Sequence, residues 1–131
     1  MMSIPHILVW SAILAWLMLV VASLIRSRGW APDGMQIAFG NRDNVPPQSP
    51  LSGRADRAAM NMLEALAIFT ALAAALYFSG KTSSQAQTGA NVFFWARVAY
   101  WPCYLAGIIY LRTAIWFAGV IGLAMMAFAM W

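Results

Sequence analysis

The stretch RADRAAMNMLE, residues 54–64, opens a long apolar segment that continues to Phe78. Four polar side chains in this stretch follow one another at intervals of three, four and three residues: Arg54, Arg57, Asn61 and Glu64. On an α-helix these intervals place all four on one face. Because ionisable groups are costly inside a membrane span, the stripe indicates a functional site or a face that contacts a partner.

The composition around this stretch is that of a membrane protein. The 131 residues are 63% hydrophobic and only 9% charged, whereas soluble domains are roughly 25% charged. A soluble domain this small could not bury so much apolar surface. A span needs roughly 20 apolar residues, and four stretches qualify, at residues 4–25, 53–78, 90–110 and 113–131. We therefore predict an all-α membrane protein, a single four-transmembrane-helix bundle over residues 1–131.

The basic residues orient this bundle in the membrane. Of the eight Lys and Arg residues, five lie between Arg26 and Arg57, which is typical of the positive-inside rule rather than of nucleic-acid binding. Residues 26–52 then form a cytoplasmic loop, with Ser52 as the predicted N-cap of the second span. A tight turn at residues 110–113 returns Arg112 to the same side. Both termini face outward in this topology.

The third span carries a second polar face, formed by Arg97, Tyr100 and Tyr104 at intervals of three and four residues. We expect Glu64 and Arg97 to form a buried ion pair, because each is costly alone in lipid; a direct ligand role for Glu64 is the alternative and does not exclude the pair. Antiparallel packing of the two spans would place the remaining polar groups near the cytoplasmic mouth: Arg57, Asn61, Tyr104 and Arg112.

For several of these groups a purely structural role is an open alternative. Arg57 and Arg112 could extend to lipid phosphates, and the two tyrosines could serve packing alone. Taken together, the groups make a cationic, hydroxyl-bearing mouth above an apolar groove. This chemistry suits an amphiphilic partner with an anionic head. The sequence contains no metal-ligand cluster and no nucleotide-binding glycine motif.

Several motifs resemble the MAPEG family, the membrane-associated proteins of eicosanoid and glutathione metabolism. The pattern Arg-Ala-x-x-Asn-x-x-Glu at 57–64 opens the second span, and Ala-Arg-Val-Ala-Tyr at 96–100 with Tyr-Leu-Arg-Thr at 110–113 looks like the family's third helix and following turn. Gly-Asn-Arg-Asp at 40–43 looks like the bacterial branch. The resemblance implies a homotrimer in the bacterial inner membrane, with glutathione bound between subunits and a lipophilic small molecule or lipid arriving from the bilayer.

The resemblance also assigns roles to single residues. It implies that the carboxylates and amine of glutathione are bound by Arg57, Asn61 and Glu64, with further contacts from Tyr100 and from Arg26 or Arg28 at the end of the first span. Arg112 would stabilise the thiolate and Tyr104 would donate a hydrogen bond. Arg97 matches an arginine with a structural role. A glutathione thiol resembles cysteine, with a pKa of about 8.5, and a nearby guanidinium favours the nucleophilic thiolate.

Three positions depart from the catalytic pattern and keep other functions open. Ala59 and Met60 stand where catalytic members often carry Gln, His or Arg, and Ala65 where the leukotriene-forming synthase has Tyr. One relative, the 5-lipoxygenase-activating protein, binds lipid without catalysis, so a non-catalytic lipid-binding or scaffold protein is the alternative to a glutathione-dependent transferase or peroxidase. A small drug exporter is disfavoured because such carriers usually place the acidic residue in the first span, which here has no charge.

Overall fold

The computed structural model describes residues 1–131 and contains four long helices and one short one. They are α1 (Ile4–Ser27), α2 (Gly34–Phe39), α3 (Pro50–Phe78), α4 (Ser84–Ala106) and α5 (Ile109–Phe128). Three of them, α1, α3 and α5, are long and apolar enough to cross a membrane. α4 has 23 residues, a length of about 35 Å, but it carries more polar side chains and is not one of the three.

The long helices pack as two pairs, α1 with α3 and α4 with α5, and the second pair has the most extensive contact. α4 and α5 approach closely at two glycines. A Cβ atom added at Gly89 would lie 2.6 Å from the carbonyl oxygen of Gly122, and the converse distance is also 2.6 Å. Small residues at such a crossing let two helix backbones touch.

Two apolar clusters form the core. In the larger one Phe69 of α3 stacks on Phe93 of α4 with ring centroids 4.7 Å apart, and side chains of α1 and α5 complete it. The smaller cluster joins α1 to the first half of α3 through Met18 and Met62. Large apolar side chains cover the outside of α1 and α5, as expected of helices that contact lipid.

The predicted connections differ from the structure in three places. α3 begins at Pro50, and its N-cap is Ser49, whose hydroxyl accepts a hydrogen bond from the amide of Ser52 at 3.1 Å. The predicted cap Ser52 therefore lies inside the first turn. α3 starts earlier than predicted because proline is pre-organised for the first helical position. The predicted loop 26–52 contains the last two residues of α1, the helix α2 and the first three residues of α3.

The turn before α5 also lies earlier than predicted. α4 ends at Ala106 and is capped by Gly107, whose φ of 76° is left-handed, and α5 begins at Ile109. Residues 110–113 are therefore helical, and Arg112 belongs to the first turn of α5. Glycine ends the helix because it adopts positive φ without a steric penalty, a signal that the charge pattern alone did not reveal.

Candidate functional site

One end of the bundle collects most of the basic residues. The end of α1, the start of α3, the end of α4 and the start of α5 meet there, and Arg54 Nε donates a hydrogen bond to the carbonyl of Leu105 at 3.0 Å across α3 and α4. Six of the eight basic side chains belong to this end: Arg26, Arg28, Arg42, Arg54, Arg57 and Arg112. Lys81 lies at the opposite end, where it donates to the carbonyl of Met130.

A continuous line of polar and aromatic side chains runs from α3 through α4 to α5. Arg97 Nη1 donates to Asn61 Oδ1 at 2.8 Å, and its guanidinium carbon lies 5.4 Å from the ring centroid of Tyr100. Tyr100 meets Tyr104 edge to face at 5.3 Å. The guanidinium of Arg112 lies 4.6 Å above the Tyr104 ring, which is a cation–π distance. We call these five residues the polar line.

Arg97 is the buried member of the polar line, with only 2% of its surface exposed. Its guanidinium also lies 5.4 Å from the ring centroid of Phe93, and its Nε has no hydrogen-bond partner. On the α5 side, Gly119 leaves room for it, because a Cβ there would lie 3.3 Å from Arg97 Nη2. The charge is therefore stabilised by one amide oxygen and two aromatic faces.

The expected ion pair between Glu64 and Arg97 is not formed within the chain. Glu64 is exposed on the outer side of α3, whereas Arg97 points into the bundle and uses Asn61 as its acceptor. Asn61 is three residues nearer the start of α3, where the antiparallel α4 brings Arg97 alongside. Asn61 and Glu64 do lie on neighbouring positions of one helix face, as predicted. Asn61, however, is turned toward the interior of the bundle, whereas Glu64 lies on its outer surface.

The polar groups at this end have donors and acceptors to spare. No hydrogen bond within the chain uses the Nδ2 of Asn61 or the hydroxyls of Tyr100 and Tyr104. Arg57 and Glu64 are exposed and unbonded. The guanidinium of Arg112 contacts an aromatic face and no hydrogen-bond acceptor. These free groups could bind a small molecule that carries both carboxylates and an amine.

The arginines at the end of α1 are not part of the polar line. Arg28 caps α1 in a left-handed conformation, with φ of 54°, and is exposed. Arg26 donates to the carbonyl of Pro46 in the following connection. No hydrogen bond or cation–π contact joins either of them to the side chains of the polar line, so a ligand shared with the line would have to reach across or lie between copies of the chain.

The three departures from the catalytic pattern are of two kinds. Ala59 and Ala65 are 2% and 7% exposed and belong to the two apolar clusters of the core. Met60 is 54% exposed and lies on the outer face of α3. Two of the three departures are thus buried apolar positions of the chain, and the third lies on its surface.

The sequence did not single out Gly119, and it did not indicate the partner of Arg54. Gly119 makes space for the Arg97 guanidinium, and Arg54 ties the start of α3 to the end of α4. A glycine in an apolar helix is a signal for close approach, but the sequence does not say what approaches it. Arg54 was recognised as part of the polar stripe, whereas its partner is a backbone carbonyl that no sequence pattern marks.

The fold and site define an all-helical integral membrane protein with a polar site at one end of its bundle. A model of the MAPEG family matches residues 7–131. This match spans nearly the whole chain, so the protein belongs to the MAPEG family and the resemblance seen in its motifs is confirmed. No curated protein and no solved structure matches the chain.

Proposed function

We propose that this protein is a glutathione-dependent transferase or peroxidase that acts on lipophilic electrophiles in the membrane. MAPEG proteins include such enzymes and also non-catalytic members. The observation that carries the proposal is the set of unbonded polar groups at the basic end of the bundle, next to the polar line. Their charges are complementary to those of glutathione, a tripeptide with two carboxylates, one amine and one thiol.

One carboxylate and the amine of glutathione each have a matching exposed side chain on α3. The exposed guanidinium of Arg57 suits a carboxylate, which arginine can bind with two parallel hydrogen bonds. Glu64, exposed two turns further along α3, suits the ammonium group. Asn61 lies between them and keeps its Nδ2 free to donate while its Oδ1 accepts from Arg97. Tyr100 adds a free hydroxyl, and Arg28 is a further cation that a neighbouring copy of the chain would have to supply.

Arg112 is the proposed activator of the thiol. Its guanidinium lies above Tyr104 and has unbonded N–H groups, so it favours the thiolate over the thiol. The thiolate sulfur then forms a C–S bond with the electrophile, and the leaving group or opened ring takes up a proton, with Tyr104 as a hydrogen-bond donor to it. In the peroxidase reaction two thiols become a disulfide while a hydroperoxide becomes an alcohol and water.

The assembly proposed with this function is a homotrimer of four-span subunits. α4 would be the fourth span, since its charge is buried inside the subunit. The exposed Glu64 would be costly in lipid, which supports a neighbouring copy against the outer face of α3. The basic end would face the cytoplasm and both termini would face outward, as the positive-inside rule predicts for a multi-pass protein of a bacterial inner membrane.

A non-catalytic lipid-binding or scaffold protein is the second candidate. The alanines at 59 and 65 favour it, because both are buried and carry no polar side chain at positions where catalytic relatives often have one. In that case the purified protein would retain bound lipid and would not respond to glutathione.

Thermal unfolding of the detergent-purified protein tests the proposal. A ligand at 100 times its dissociation constant adds about 2.7 kcal/mol to the free energy of unfolding, so millimolar glutathione should raise the midpoint. We expect Arg57→Ala to abolish this shift and Lys81→Ala, which removes a charge at the opposite end, to keep it. S-methylglutathione separates binding from thiol activation: Arg112→Ala should keep part of its stabilising effect while losing turnover of an electrophile.

Two results would contradict the proposal. One is an unchanged midpoint in the wild type at saturating glutathione, which would favour the lipid-binding alternative. The other is full turnover in both arginine variants, which would place the thiol chemistry elsewhere.

A further inference from the structure

We propose that α2 and the turn before it form an anchor in the headgroup layer of the bilayer, inserting the side chains of Trp30, Met35 and Phe39. This interfacial anchor is a property of the connection between α1 and α3. It does not depend on whether the protein binds glutathione.

All three side chains are exposed, although they lie outside the long apolar helices. Trp30 is 71% exposed, Met35 42% and Phe39 84%. Met35 and Phe39 are four residues apart on α2 and therefore share one face. Gly34, on the other side of the same helix, is buried. Met35 and Phe39 thus form an apolar face of α2 that is largely left open by the rest of the chain.

The apolar face of α2 continues the outer surface of α1. Gly29 lies between the two helices: a Cβ added there would be 2.9 Å from Leu24 Cδ2 and 3.7 Å from the sulfur of Met35. Leu24 is itself 40% exposed and belongs to the last turns of α1, a helix apolar enough to cross the membrane. Met35 therefore extends the lipid-contacting surface of α1 at the point where that span ends.

Polar contacts hold the connection between α1 and α3 beside the last turns of α1. Arg42 donates to Ser23 Oγ at 2.9 Å, and Arg26 donates to the carbonyl of Pro46. Both contacts tie the chain that follows α2 back to the last turns of α1. The connection therefore lies beside the end of the span instead of extending into the cytoplasm.

The chemistry of these residues identifies the layer they contact. Tryptophan and other amphipathic aromatic groups concentrate at the boundary between lipid headgroups and acyl chains. Interfacial helices place an apolar face about 5–10 Å into that boundary. Arg28 is exposed between α1 and Trp30, where its guanidinium can meet lipid phosphates. A phospholipid surface satisfies the apolar face and the cation together.

Nitroxide accessibility in lipid nanodiscs tests the anchor. The single native cysteine is first removed by Cys103→Ser, and a spin label is attached to Phe39→Cys or, independently, to Met35→Cys. The control is Asp33→Cys: Asp33 is exposed at the start of α2, makes no capping hydrogen bond, and lies on the opposite side of the helix. The discs contain phosphatidylcholine and phosphatidylglycerol, and collisions are measured with oxygen and with a water-soluble nickel chelate.

The proposal requires labels at 39 and 35 to collide several-fold more with oxygen, relative to the nickel chelate, than the label at 33. Equal accessibility to the chelate at all three positions would place α2 in water and overturn the proposal. Protection of 39 and 35 from both reagents would overturn it as well, because it would show that a second copy of the chain, and not lipid, covers this face.

Discussion

At the scale of single residues, the decisive feature is a buried guanidinium without a carboxylate partner. Arg97 has Asn61 as its one side-chain acceptor and the rings of Phe93 and Tyr100 as its neighbours. Removing one partner of a buried charged group costs more than removing both, because the remaining group keeps its desolvation penalty. Asn61 is therefore a structural residue as well as a proposed glutathione ligand.

This arrangement predicts how variants of the pair behave. Asn61→Ala should lower the free energy of unfolding by about 1–3 kcal/mol. The double variant Asn61→Ala with Arg97→Met should recover most of that loss, since it replaces the unpaired charge with an apolar side chain. Thermal unfolding in detergent, without glutathione, measures both.

Glu64→Gln is the matched control, because Glu64 is exposed and does not contact Arg97 within the chain. This variant should leave the free energy of unfolding of the chain unchanged. If Glu64→Gln lowered the free energy of unfolding as much as Asn61→Ala, the result would support an ion pair between Glu64 and Arg97 and contradict the contact with Asn61.

At the scale of elements, the start of α3 decides where the polar stripe lies. The Ser49–Pro50 pair begins the helix, and Arg54 then falls beside the end of α4, where it donates to Leu105. Ser52 was predicted as the cap, yet its hydroxyl is buried and has no hydrogen-bond partner. The hydroxyl of Ser49 therefore stabilises the start of α3, whereas the buried hydroxyl of Ser52 is destabilising.

We expect Ser49→Ala to lower the free energy of unfolding by about 1 kcal/mol, the usual cost of a lost N-cap. Ser52→Ala should be neutral or stabilising, because it removes a buried hydroxyl that lacks a partner. The two variants are chemically identical changes in the same turn, so thermal midpoints compare them directly. If Ser52→Ala proved the more damaging of the two, the helix would begin at the later position.

At the scale of the whole molecule, one face of α3 is not covered by any other part of the chain. Its exposed side chains are a mixture of charged, small and apolar groups: Arg57, Met60, Glu64, Ala67, Ile68, Ala71 and Ala75. Alanines let helices approach closely in a membrane, and an exposed carboxylate in a span calls for a polar neighbour. This face is the proposed contact between copies of the chain.

Ala71→Phe should therefore reduce the share of trimer in native mass spectra of the detergent-solubilised protein, because the larger ring separates the facing helices. Ala114→Phe, the same change at an exposed position of α5, should leave the trimer intact. Circular dichroism should show unchanged helix content in both variants. A wild-type protein that is monomeric, or a trimer that tolerates the ring at 71, would contradict this interface.

The sequence by itself determined the class of the molecule. Its hydrophobic runs require helices, since a spanning segment must satisfy its backbone hydrogen bonds internally, and its motifs around Asn61 and Tyr100 resemble the family to which it belongs. The ends of the helices were predicted less accurately. Ser49 caps the start of α3 in place of Ser52, and Gly107 places the turn before α5 earlier than residues 110–113. Capping depends on backbone geometry that several neighbouring residues could supply.

Only the tertiary structure decided which polar residues meet. Helical spacing placed Asn61 and Glu64 on one face, but it could not fix the rotation of α3 against α4, which is set by packing such as the Phe69–Phe93 stack. That rotation turns Asn61 toward Arg97 and leaves Glu64 on the outer surface. Asn61 and Glu64 differ in direction by only about 60° around the helix axis, so the rotation of α3 decides that one makes a structural contact and the other stays an open binding group.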